Sequence, residues 1–115
     1  MNKLIPLFLI LLLSACVSAP KYGFGPVELT SDQQKFYEQY LNRINDRKDK
    51  KEDWAFALSP TQNYGRYIFK RGGRLEGAQE KAIRLCNEGV KVKDCKIYDI
   101  NGKIVWKFDE TATGG

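Results

Sequence analysis

The sequence contains no histidine. That absence removes the side chain most used as a general base near neutral pH and the commonest neutral metal ligand. Hydroxyls such as Ser59 therefore have no imidazole to activate them. Glycine loops of the P-loop or dinucleotide type are missing. The 14 acidic residues are scattered, and no pair of them reads as the two carboxylates of a glycosidase. The expectation is a protein that is not an enzyme and uses no cofactor and no metal. Long apolar runs are missing too. The longest, Leu4 to Leu13, is ten residues and contains Pro6, where a membrane-spanning helix needs roughly 20. Cysteine is scarce, at three residues: Cys16, Cys86 and Cys95.

What the N-terminus does have is the order of a secretory signal. Met1-Asn2-Lys3 is a short positive stretch, the apolar run follows, and the small residues Ser14 and Ala15 precede Cys16. Leu13-Ser14-Ala15-Cys16 resembles the lipobox of bacterial lipoproteins. The resemblance covers the signal segment alone. It implies that the Cys16 sulfur receives a diacylglyceryl group and that a peptidase cuts before it. One acyl chain holds a protein marginally, but at about 0.8 kcal/mol per buried methylene two or three chains anchor it durably. In such lipoproteins an Asp after the Cys retains the protein at the inner membrane. Val17 stands there instead, which by resemblance implies the periplasmic face of the outer membrane.

Of 115 residues, about 100 remain after such a cut, enough for one small domain. The chain carries 19 Lys plus Arg against 14 Asp plus Glu; without Lys3 the excess is 18 − 14 = +4, which reads first as a solvated surface. With Cys16 lipidated, Cys86 and Cys95 form an even set in an oxidising compartment and are expected to pair. A two-Cys metal site is the alternative.

The expected organisation is a signal peptide over 1–15, a lipidated tether over 16–29, a small domain over 30–110 and a flexible tail over 111–115. The tether reading rests on Pro20, Gly23, Gly25 and Pro26 without apolar period. Tyr22 and Phe24 either dip into lipid headgroups or pack back on the domain. A helix begins at Thr30 or Ser31, where Ser31-Asp32-Gln33-Gln34 has capping-box form, and carries a stripe of Phe36, Tyr37, Tyr40, Leu41 and Ile44. The stripe reads as core-facing, or alternatively as a partner-binding face. Arg47 to Asp53 reads as a solvated connector.

Strand patterning follows. Trp54, Phe56 and Leu58 alternate with Ala55 and Ala57, Ser59 to Asn63 supplies turn chemistry, and Tyr67, Ile68 and Phe69 form the second arm of a hairpin. A helix then carries Leu75, Ala78, Ala82, Leu85 and Cys86 on one face, with Gly89 at its C-terminal cap. Asn101-Gly102 is the preferred two-residue hairpin turn. Extended regularly, its register sets Ile100 opposite Lys103, Ile97 opposite Trp106 and Cys95 opposite Phe108, with Tyr98, Ile100 and Val105 on the second face. A Cys86–Cys95 bond would close a loop of about ten residues and contribute roughly 2.5 to 3 kcal/mol. The fold class is α+β: an N-terminal helix, then strand-strand-helix-strand-strand, giving a small mainly antiparallel sheet covered by a helix.

Trp54 to Pro60, Tyr64-Gly65, then Ala78, Ala82 and Cys86, then Cys95 before Asn101-Gly102 resemble a group of small secreted proteobacterial domains of uncharacterised function. In these a helix and the next strand each supply one Cys. The resemblance supports the fold and the bridge and implies no activity.

One site-like feature is Lys70-Arg71-Gly72-Gly73-Arg74, where glycines beside a helix start and the flanking Arg71 and Arg74 can hold an anion such as lipid phosphate. The alternative is a loop of solvated cations. Two roles follow. One is a binding or structural module meeting an envelope protein or polymer through the helix aromatics or the face of Tyr98, Ile100 and Val105. The other is an inhibitor or immunity lipoprotein that blocks a periplasmic hydrolase with the loop Ser59 to Arg66. No nucleic-acid partner is expected, because the basic residues do not cluster on one face.

Overall fold

The computed structural model describes residues 21–47, 51–71 and 75–109. Along these the order is α1 (Ser31–Asp46), β1 (Glu52–Leu58), β2 (Gly65–Arg71), α2 (Leu75–Glu88), β3 (Lys96–Ile100) and β4 (Lys103–Ile104). One four-stranded antiparallel sheet has the order β2-β1-β3-β4. The α+β class and the strand-strand-helix-strand-strand order hold.

Residue size sorts the two faces of the sheet. On β1, Trp54, Phe56 and Leu58 enter one buried cluster with Tyr37 and Tyr40 of α1, Tyr98 and Trp106. Ala55 and Ala57 enter the other with Ala78, Ala82 and Cys86 of α2, Cys95, Ile97 and Ile100. Small residues facing small residues let α2 approach the sheet backbone closely, while aromatic rings fill the wider space under α1. The N-terminal helix thus covers the face opposite α2.

Helix α1 starts at Thr30. Its hydroxyl accepts the Gln33 backbone N–H at 3.2 Å and the Gln33 side chain accepts the Thr30 N–H at 3.1 Å, so the capping box spans Thr30 to Gln33, one residue earlier than Ser31 to Gln34. Helix α2 ends at Glu88, but Gly89 is not in the left-handed region. A Cβ there would meet the Tyr64 ring at 2.5 Å, so Gly89 makes room for that ring.

The Asn101-Gly102 turn has the two positive φ angles such a turn requires, 54° and 89°, and it pairs Ile100 with Lys103 and Asp99 with Ile104. The regular register stops there. Phe56 pairs with Asp99 but Ala57 with Ile97, so Tyr98 is an extra residue and the strand bulges. Ile97 consequently faces α2 while Trp106 lies in the aromatic cluster, and Phe108 is exposed against Tyr98 rather than opposite Cys95. These three placements correct the pairing projected from the turn.

The space beside Ile97 is filled from the N-terminal side. Ile97 N–H donates to Lys21 O at 2.8 Å and Gly23 N–H to Ile97 O at 3.1 Å, in a parallel bridge; Gly25 N–H then donates to Lys107 O at 2.8 Å. Gly23 is buried under Trp106, whose indole N–H donates to Gly25 O at 2.9 Å, and Val27 and Leu29 pack on the aromatic cluster. Residues 21–29 are therefore part of the domain. Tyr22 packs back on the α2 layer.

Candidate functional site

Cys86, in the last turn of α2, and Cys95, just before β3, are joined by a disulfide with Cα atoms 6.1 Å apart. Both are buried in the alanine layer. The loop they close is also bonded internally. Lys93 Nζ donates to Asn87 O at 2.7 Å and Val90 O at 2.6 Å, placing a cation on the carbonyl end of α2, and Cys95 N–H donates to Asn87 Oδ1 at 3.0 Å. The third cysteine, Cys16, lies outside the described residues, as does the signal segment.

Of the expected anion site Lys70 and Arg71 are described, at the end of β2; Gly72, Gly73 and Arg74 lie outside. Arg71 Nε is 3.6 Å from Glu52 Oε2, and Arg47 Nε is 3.8 Å from Glu52 Oε1. The Glu52 side chain is 1% exposed, and its two oxygens accept no hydrogen bond among the described residues. Arg47 also lies over the Phe69 ring, 5.3 Å from its centre. Arg71 therefore faces a carboxylate. Glu52 and Asp53, read from sequence as solvated connector, are the first residues of β1; the mixed-sign run around them concealed this.

A second buried carboxylate was not foreseen. Asp99 is fully buried and accepts from the Tyr37 hydroxyl at 2.6 Å, the Tyr40 hydroxyl at 2.8 Å and the Gly102 N–H at 2.8 Å. Burial, and next the Asp99 charge and its hydrogen bonds, push both phenols above their ordinary range. Asp99 pairs with Phe56 and shares its face toward α1, and helical spacing places Tyr37 and Tyr40 one turn apart on the same stripe.

The loop between β1 and β2 is held by side chains. Gln33 Nε2 donates to the carbonyls of Ser59, Gln62 and Tyr64 at 2.8, 2.9 and 3.1 Å. Gln62 reaches across, accepting the N–H groups of Lys91 and Val92 at 2.9 and 3.2 Å and donating to Val92 O at 2.8 Å. Asp94 accepts from Ser59 and Thr61 at 2.6 and 2.5 Å. Burial raises the Asp94 carboxyl, but the bonds from Ser59, Thr61 and Gln62 outweigh it and hold the group below its usual range. Pro60, Thr61, Asn63 and Arg66 remain exposed.

The surfaces expected to meet a partner are differently placed. Tyr37 and Tyr40 lie in the core with Phe36, Leu41 and Ile44 packed around them. Tyr98 and Ile100 are buried on opposite faces and Val105 packs against the α2 layer. Those residues hold the fold together. Among the described residues the exposed large apolar side chains are Val92, Ile104 and Phe108, and β2 is an edge strand of the sheet. Among the described residues no acidic or cysteine cluster could hold a metal ion, and no helix is long and apolar enough to cross a membrane. Compared with known proteins, the chain matches no family model, no curated protein and no solved structure.

Proposed function

We propose that this chain is a lipoprotein of the bacterial envelope, anchored through lipid on Cys16 at the periplasmic face of the outer membrane. There it acts as a non-catalytic binding or structural module. The observation that carries the reading is Leu13-Ser14-Ala15-Cys16 at the end of an apolar run too short to span a bilayer. The pairing of Cys86 with Cys95 supports it, since an export compartment permits that bond and the pair leaves Cys16 for another chemistry. A partner would meet surfaces outside the core, such as the edge of β2.

The alternative is an inhibitor or immunity lipoprotein. The side-chain bonds that fix Ser59 to Tyr64 favour it specifically, because a loop ordered in advance loses little conformational freedom on binding. Mass spectrometry of intact protein extracted from membranes, before and after reduction, tests the anchor: the reading requires acyl mass on a chain beginning at Cys16. Cross-linking in the native envelope separates the two roles. Resident envelope components support the module; a secreted hydrolase supports the inhibitor.

A further inference from the structure

The parallel bridge of Tyr22 to Ile97 fixes where the anchored end of the chain leaves the domain. Lys21 to Gly25 runs in the same direction as β3, so Lys21 lies level with the start of that strand, and its ammonium is 3.3 Å from Glu80 of α2. Only five residue steps separate Lys21 from Cys16, a reach of about 18 Å at full extension. The end of the sheet where β3 begins must therefore stay close to any bilayer that holds Cys16.

That same end presents a built apolar tip. Val92 is 59% exposed and stands between Lys91 and Lys93, both exposed. Its backbone is fixed on both sides by Gln62, which accepts the Val92 N–H and donates to the Val92 carbonyl, so the side chain is held outward. An apolar residue between two lysines suits the boundary between anionic headgroups and acyl chains. We infer that the domain stands on the bilayer through Lys91-Val92-Lys93, with the Asn101-Gly102 turn and the Arg47–Glu52–Arg71 cluster directed away from it. The inference rests on the Cys16 anchor and adds the surface that meets lipid.

The test uses full-length protein extracted from membranes and shown by mass to be acylated, placed in phosphatidylglycerol-containing vesicles with brominated acyl chains. Val92→Trp is compared with Lys103→Trp at the opposite end; both sites are exposed, and the native Trp54 and Trp106 are buried. Bromine is expected to quench the Val92→Trp emission by about half and leave Lys103→Trp nearly unchanged, since interfacial side chains lie only some 5–10 Å deep. Inserting a Gly/Ser segment of about twelve residues between Pro20 and Lys21 should remove most of that difference. Acylated protein with equal quenching at both positions overturns this inference and leaves the anchor standing. Protein without acyl mass overturns both.

Discussion

At the residue scale the decisive group is Asp99, a fully buried carboxylate stabilised by two phenols and one backbone N–H. Removing the carboxylate leaves the buried Tyr37 hydroxyl and the part-buried Gly102 N–H without their acceptor, and leaves the Tyr40 hydroxyl only the longer contact to Trp54 O at 3.4 Å. Asp99→Ala is expected to cost about 3–5 kcal/mol, and Tyr40→Phe about 1–3 kcal/mol, because a hydrogen bond to a charged group is lost while the charge stays buried. Urea unfolding followed by fluorescence measures both. The phenols also set the alkaline limit. Tyr37, Tyr40 and Tyr98 are all raised, first by burial and then by the negative charge of Asp99. A group with a raised folded pKa contributes stability that is complete below its unfolded value, about 10 for Tyr, and is lost as pH rises beyond it. Phenolate absorbance should therefore appear together with loss of the folded signal above about pH 10, and Tyr37→Phe should move that transition. If these phenols ionise while the fold persists, the network around Asp99 is not what holds α1 to the sheet. The network was not legible in the sequence: Asp99 alternates regularly with Ile100, but the sequence does not show that α1 covers that face and brings Tyr37 and Tyr40 onto it.

At the scale of elements, most of the order was legible and the joints were not. The aromatic stripe of α1, the alternation of β1 and the Asn101-Gly102 turn each carry a period or a required φ that sequence displays directly. The position of α1 on the second face was implicit in Ala55 and Ala57, small residues that alternate with the large ones of β1 and form the seat of α2. The joint between β1 and β2 was hidden because Gln33, Gln62 and Asp94 are polar residues whose partners lie far along the chain. Its pH response follows from Asp94. The folded carboxyl is lowered, so its contribution is present above the unfolded value near 3.9 and disappears as pH falls through the folded value. Wild type should thus be more stable than Asp94→Asn at pH 7, and the gap should close toward about pH 2; denaturation at both pH values checks it. The disulfide is the second staple. Replacing Cys86 and Cys95 by Ala should cost roughly 2.5–3 kcal/mol, or about 10–20 °C in Tm for a domain of this size. A double variant that melts with wild type would mean that Lys93 and Asn87 already order the loop.

At the scale of the whole molecule, the segment read from sequence as a tether changes what the domain is able to do. Gly23 and Gly25 look like linker residues because glycine in a linker and glycine under a buried ring are identical in composition. Here a Cβ on Gly23 would lie 1.9 Å from the Trp106 ring, which is only 5% exposed. The ring has no free space to move into, so Gly23→Ala is expected to lift Lys21 to Gly25 off the sheet edge at a cost of about 1–3 kcal/mol while the two cores persist. Trypsin should then cut after Lys21 in an otherwise folded domain, and the freed residues would lengthen the leash to Cys16. The orientation of the exposed loops follows from the same joint. Ser59 to Tyr64 is bonded to Lys91, Val92 and Asp94, so a domain standing on a bilayer through Lys91-Val92-Lys93 would hold that loop at its lipid-facing end, out of reach of an enzyme approaching along the membrane normal. Release by Gly23→Ala should therefore strengthen capture of a hydrolase if the loop is an inhibitor's. It should leave cross-links to resident envelope components through the β2 edge unchanged if the domain is a module. Unaltered protection of Lys21 in the Gly23→Ala protein would show that the backbone pairing with Ile97 and Lys107 suffices to hold the segment, and the tight fit under Trp106 would lose the role given to it here.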